Sequence, residues 1–325
     1  MPANSLLTGS VVKIAEDVED TIYNFNPDDA PLSSMIARTS IDNVYFEWQR
    51  DQYRTPDPTR AAIEGADATY AAQTQPTLLN NRTQIVQDTM SISNTTEAVK
   101  KYGRNAANKE ANRLKVKKMV ELKRDIEAAI ISSGATVTGT SGVAGRLRGL
   151  YGFITNDTLG VGGVSPDPTT NTAPTNGTDR ALTQQMILDG VQSCYENGGS
   201  ASIIMCSPAH KVKISTFTFN VQRTNEVGTK AAAVVNGAFD FIRTDFGVTK
   251  VVPNRVMSVA VTGLNDTLYI LDSDKLKIAQ LRPFETEQMA TVGDAKQWQV
   301  RTEVSLKVGD EKPLYAIRDI TVSGS

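Results

Sequence analysis

The chain has 325 residues, 40% hydrophobic and 22% charged, with a formal net charge of −2, which fits one large globular domain or two modest ones. One histidine (His210), two cysteines (Cys194 and Cys206) and 6% aromatics exclude a disulfide framework and a zinc or transition-metal centre. A Ser-His-Asp or Cys-His device would have only His210 to use.

The charge is unevenly spread. Residues 1–80 hold 5 basic against 12 acidic side chains, residues 81–150 hold 13 against 6, and residues 151–325 hold 16 against 18. The first segment is therefore −7 and the second +7, opposite fields that can complement each other between copies of the chain.

In chain order, residues 1–40 read as an arm. An acidic run (Glu16, Asp17, Glu19, Asp20) leads to Pro27 and Pro31, and then Leu32, Met35 and Ile36 recur at helical spacing. Residues 41–50 alternate, with Val44, Phe46 and Trp48 on one side, and predict a strand. A matching strand is predicted at 82–93, where Val86, Met90 and Ile92 share one parity around Asp88. About thirty polar, proline-bearing residues separate them, so the pair predicts an extended arm with an irregular tip.

A helix follows from about 105 to 133, free of Pro and Gly, with an apolar stripe of Leu114, Met119, Leu122, Ile126, Ala129 and Ile130. Asn94 or Thr95 is the expected cap of a preceding turn that carries Glu97. Between Lys100 and Arg124 the segment has ten basic residues against two acidic ones. With a single aromatic, Tyr102, beside them, this pattern does not read as sequence-specific nucleic-acid binding and leaves only weak phosphate attraction.

Gly and Thr dominate 134–178. A helix is expected near 181–196 (Leu182, Met186, Ile187, Val191, Tyr195), then a buried strand at 202–206 and a helix that Ser207 caps and Pro208 opens. Beyond 238 the pattern is mainly strands: 239–243, 248–252, 256–261, 268–271, 276–281, 298–308 and 314–322. The run 297–308 alternates over its whole length. No eighteen-residue apolar run and no signal-peptide pattern occurs, so no membrane partner is expected.

Chemistry-bearing motifs are sparse. The clusters Gly142/Gly145/Gly149, flanked by Arg146 and Arg148, and Gly160/Gly162/Gly163 lack the ending of a phosphate loop and read as connectors. His210 has no acidic sequence neighbour to orient it and reads as solvated; Cys194 and Cys206 read as small buried hydrophobes. Asp272/Asp274 and Glu285/Glu287 read as turn or surface residues. No catalytic, cofactor-binding or metal-binding residue is assigned.

The order of arm, two-stranded extended loop, long helix, mixed α/β lobe and long closing strands resembles the tailed-phage major capsid proteins of the Hong Kong 97 type. More closely, the chain resembles the major capsid family typified by the SU-ten phage. The residues that carry the likeness are Ala30-Pro31-Leu32-Ser33-Ser34-Met35-Ile36, Phe46-Glu47-Trp48-Gln49, Glu64-Gly65-Ala66-Asp67-Ala68 and Arg82-Thr83-Gln84-Ile85. They continue with Glu121-Leu122-Lys123-Arg124-Asp125-Ile126-Glu127, Val251-Val252-Pro253-Asn254-Arg255, Leu281-Arg282-Pro283-Phe284 and Gly293-Asp294.

The resemblance implies an α+β Hong Kong 97-like capsid fold with five parts. These are an N-terminal arm (1–40), an extended loop (41–92), a spine helix with the first part of a peripheral domain (93–177), an axial domain (178–265) and closing strands (266–325). It implies a non-enzymatic shell subunit without cofactors, assembling in the host cytoplasm into hexamers and pentamers around double-stranded DNA contacted non-specifically. Its partners would be itself, a portal, and separate scaffolding or decoration proteins; an encapsulin-type shell around cargo protein is the alternative. The type member is crosslinked through an extended-loop lysine, but this chain has no lysine between Lys13 and Lys100, which implies a non-covalent shell. Phe46, Trp48, Glu64, Asp67, Arg82, Lys115, Lys117 and Lys118 are the candidate inter-subunit contacts.

Overall fold

The computed structural model describes residues 29–65, 67, 70, 72–99, 110–217, 240–259, 262–291 and 293–321. The acidic run at 16–20, the expected helix start at 105–109 and the basic residues Lys100, Lys101, Arg104 and Lys109 lie outside the described residues.

Pro31 opens helix α1 (Pro31–Met35), where a missing N–H is harmless, and Leu32 is buried. The chain then extends into β1 (Ala37–Ser40), which runs parallel to β11 (Leu276–Gln288). Strand β2 (Tyr45–Arg50) pairs antiparallel with β3 (Thr77–Arg82), placing Trp48 opposite Leu79. The hairpin partner is therefore 77–82 and not the expected 82–93. The break falls at Thr83, whose N–H donates to Val44 O (2.9 Å) and whose hydroxyl donates to Glu303 (2.6 Å). Beyond it, β4 (Gln84–Ser93) pairs with β12 (Ala295–Val308), which sets Met90 opposite Trp298. The parity of Val86, Met90 and Ile92 thus serves the main sheet, not the arm.

The cap of helix α2 (Asn94–Ala98) is Ser93, not the expected Asn94 or Thr95, and Glu97 instead accepts from Ala111 N at the start of the long helix (2.9 Å). That helix, α3 (Glu110–Ser132), spans 23 described residues, roughly 35 Å at 1.5 Å each. Leu122, Ile126, Ile130 and Ile131 are buried, whereas Met119 faces outward. At its C-terminal end α4 (Leu150–Phe153) approaches so closely that a Cβ on Gly152 would stand 1.6 Å from Gly134 O. Arg148, fully buried, donates to Asn80 O and Asn171 and lies over Phe153, with burial lowering its pKa to about 10. Of the first glycine cluster, Gly149 is held by packing, a Cβ there standing 2.4 Å from Ile130 O, while Gly142 faces open space as a connector, and the inner arginine, Arg148, is consumed.

Order β1-β11-β12-β4 forms a four-stranded sheet. A six-stranded sheet has the order β5-β13-β10-β7-β9-β8, built from β5 (Asp157–Thr158), β7 (Ile203–Cys206), β8 (Phe241–Thr244), β9 (Gly247–Pro253), β10 (Leu268–Leu271) and β13 (Tyr315–Ile317). Its alternating side chains feed two cores. Ile203, Met205, Tyr269 and Leu271 join a core with α3, the hairpin and β12. Ile204, Cys206, Leu268 and Ile270 join a second core with α5 (Gln184–Glu196) and α6 (Pro208–Ser215). Gly190 and Cys194 line the inner face of α5, while Tyr195 is turned outward onto Phe246.

Three strand expectations are corrected. Residues 255–258 form a 3-10 turn capped by Asn254. The 314–322 run breaks at Asp319, which has φ 55°, giving β13 and β14 (Ile320–Thr321), the latter paired with β6 (Arg180–Ala181). In β12 the alternation ends at Thr302, because Glu303 and Ser305 are covered by Thr83 and by the Arg82 carbonyl. His210, expected to be solvated, is buried: Ser207 is at Nδ1 (3.0 Å) and Thr321 O at Nε2 (3.3 Å).

Candidate inter-subunit surfaces

The extended loop is a projection rooted in the core. Trp48 is buried against Phe153, and its indole N–H donates to Val308 O (2.7 Å); Phe46 stacks on it at 5.4 Å. Arg50, where the hairpin opens, pairs with Glu311 and Asp310. Beyond this root the described residues of 51–76 are exposed throughout, with Tyr53 and Tyr70 98% exposed and Ile63 81%. Exposed aromatic and aliphatic groups on an acidic, lysine-free loop are unfavourable in water unless something covers them. Glu64 and Asp67 sit on this exposed stretch; Arg82 lies at the root, over the Tyr45 ring at 4.9 Å.

The basic face of α3 is partly spent within the subunit. Lys118 bonds Asp88 of β4 (2.8 Å) and Glu121 (2.9 Å), and these carboxylates raise its pKa. Burial tends to raise the Asp88 pKa, but the Lys118 ammonium and the Thr89 N–H outweigh it and hold the carboxyl low. Lys115 lies over Trp298 at 4.9 Å. Lys117 has only a loose contact with Glu121 (3.7 Å) and is the most exposed of the three. Among the described residues, no hydrogen bond or ion pair joins these lysines to Glu64 or Asp67 within one subunit.

Two buried carboxylates organise the segments that carry these surfaces. Glu127, on the inner face of α3 beside Ile130 and Ile131, accepts from Leu32 N, Ser33 N and Asn254 Nδ2, each at 2.8 Å. It thereby caps α1 and ties the arm and the end of β9 to the spine. Glu303 accepts from Thr83 and from Arg282 (2.8 Å). Asn81 plays a related role, donating to Arg148 O and Leu306 O while accepting from Arg148 N. None of the three was assigned from sequence. The available signal was a charged residue in register with the buried stripe of α3.

The profile of the SU10 major capsid protein family matches residues 2–321. The major capsid protein of Escherichia phage Phieco32 is 26% identical over 319 residues, covering 87% of each chain. Among solved structures, the Cyanophage A-1(L) capsid subunit aligns with a TM-score of 0.65 at 15% identity, over 97% of this chain and 98% of that one. The capsid of a native GTA particle gives 0.64 at 13%, over 98% and 100%. An encapsulin from Synechococcus elongatus, SrpI, gives 0.55 at 10%, over 96% and 94%. These likenesses establish the α+β Hong Kong 97-like capsid fold.

Proposed function

This chain belongs to the SU10 major capsid protein family, and on that premise we propose that it assembles into the hexamers and pentamers of an icosahedral phage head enclosing double-stranded DNA. The observation that carries this is the family match over almost the whole chain, together with a phage relative that aligns over 87% of each chain. In this reading residues 41–92 lie over a neighbouring subunit, α3 is the spine of the peripheral domain, 178–265 form the axial domain and 266–325 close the peripheral domain. The core around α5 and α6 also takes in Leu268, Ile270, Tyr315 and Ile317, so the six-stranded sheet joins the proposed axial and closing segments.

Exposed ion pairs contribute about 0–1 kcal/mol each and are screened by salt, so burial of Tyr53, Ile63 and Tyr70 supplies cohesion while charge sets register. Glu64 and Asp67 meet Lys115 and Lys117 of neighbouring copies; Lys118 is already paired with Asp88. With no lysine from residue 14 to residue 99, the extended loop has no amine for an isopeptide bond. Particles should therefore dissociate to single chains in hot detergent. They should also protect DNA from nuclease; shells that hold cargo protein and no DNA would instead support the encapsulin reading.

A further inference from the structure

We propose that Asp179, Asp266 and Asp319 form a site for one hard divalent cation of the calcium class, which fastens the C-terminal strand β14 to the segment entering α5. One carboxylate oxygen from each lies within 4.8 Å of the others. The three come from separate places: Asp179 precedes β6, Asp266 precedes β10, and Asp319 forms the turn between β13 and β14. The parallel pairing of β14 with β6 brings them together.

The cluster alone is only a patch of acids. The second observation is Asp319 itself. Its side chain is fully buried; Oδ2 accepts from Gly160 N (2.8 Å), while Oδ1 is buried and receives no hydrogen bond. A carboxylate oxygen held out of water beside two further carboxylates, with no donor, is costly without a positive partner. Among the described residues, no lysine or arginine forms an ion pair with any of the three.

The donor chemistry selects the ion. All the donors are oxygens, which favours hard cations over zinc. Two oxygens that each lie about 2.4 Å from a calcium ion can be at most about 4.8 Å apart, a limit that every pair of the three respects; magnesium, at about 2.0–2.1 Å, demands a tighter cage. The surroundings are built to close tolerance. A Cβ on Gly160 would stand 2.0 Å from Thr178 O, and one on Gly163 would stand 3.1 Å from Asp319 Oδ2. The second glycine cluster, a bare connector in the sequence, thus wraps the buried aspartate, and exposed Asp179 leaves an entry path. The absence of metal ligands read from His and Cys content does not extend to three aspartates more than fifty residues apart in the chain.

Terbium reports on the site through a built-in antenna. The Tyr151 hydroxyl donates to Asn176, whose amide donates to Asp266 (3.0 Å). Full-length protein stripped with a chelator should show saturable tyrosine-sensitised terbium emission, at one ion per chain, that calcium displaces. Asp179→Asn, an exposed change that spares the fold, and Asp266→Asn should each weaken binding by at least about tenfold, and calcium should raise the unfolding temperature of the parent chain only. No saturable emission, or the same titration in the parent and Asp179→Asn chains, would overturn the site. Neither result depends on whether shells form.

Discussion

Glu127 accepts from two amides of α1 and from Asn254 in a place that water does not reach, so removing its carboxylate strands three donors at once. Each unsatisfied buried group costs about 1–3 kcal/mol, and Glu127→Ala should therefore destabilise the chain by roughly 3 kcal/mol or more in urea unfolding. A loss under about 1 kcal/mol would mean that the arm is held by other contacts. His210 adds a pH dependence. Burial holds its pKa below the usual 6.5, so the unfolded chain takes up the proton first as pH falls. The stability it contributes is present above about pH 6.5 and lost progressively below. The unfolding temperature should drop from pH 7 to pH 5.5, and His210→Gln should flatten that slope; an unchanged slope would remove His210 from the explanation. Sequence could see that Ser207 caps α6 but not that the histidine of its first turn reaches Thr321, because that contact spans 111 residues.

At the scale of elements, the hairpin β2–β3 is only as fixed as its root. Trp48→Ala removes a buried indole and its hydrogen bond to Val308, a change of about 3–5 kcal/mol for a large aromatic. The loop 51–76 should then be cleaved by proteases markedly faster at temperatures where the rest of the chain stays folded. Equal cleavage rates would show that Trp48 does not anchor it. The apolar periodicities were legible: α3, α5, β7 and β12 lie close to where alternation and helical spacing put them. The partner of β2 was not, because β3 (Thr77–Arg82) is mostly polar and its buried face consists of one apolar residue, Leu79, beside the amide of Asn81. Likewise the 256–261 run reads as a strand, but Asn254 caps residues 255–258 into a 3-10 turn.

For the whole molecule, the order of parts carried the family resemblance, and the motifs behind it converge in space. Pro31-Leu32-Ser33, Glu127 and Asn254 meet at one carboxylate, and Thr83, Arg282 and Glu303 at another. Their role is to hold separate segments in a fixed relation, so no reactive side chain marks them. The loop tip follows a different logic: Tyr53 and Tyr70 touch little within the subunit, so Tyr53→Ser with Tyr70→Ser should leave unfolding stability within about 0.5 kcal/mol while shell yield falls several-fold. Unchanged yield would remove the tip from the interface. The most direct measurement is electron microscopy of the purified full-length protein at sufficient resolution to trace the loop. Closed icosahedral shells of hexamers and pentamers, with residues 51–76 lying over an adjacent subunit, are expected; a monodisperse monomer, an open filament, or shells in which that loop stays folded on its own subunit would contradict the shell assignment or its proposed interface.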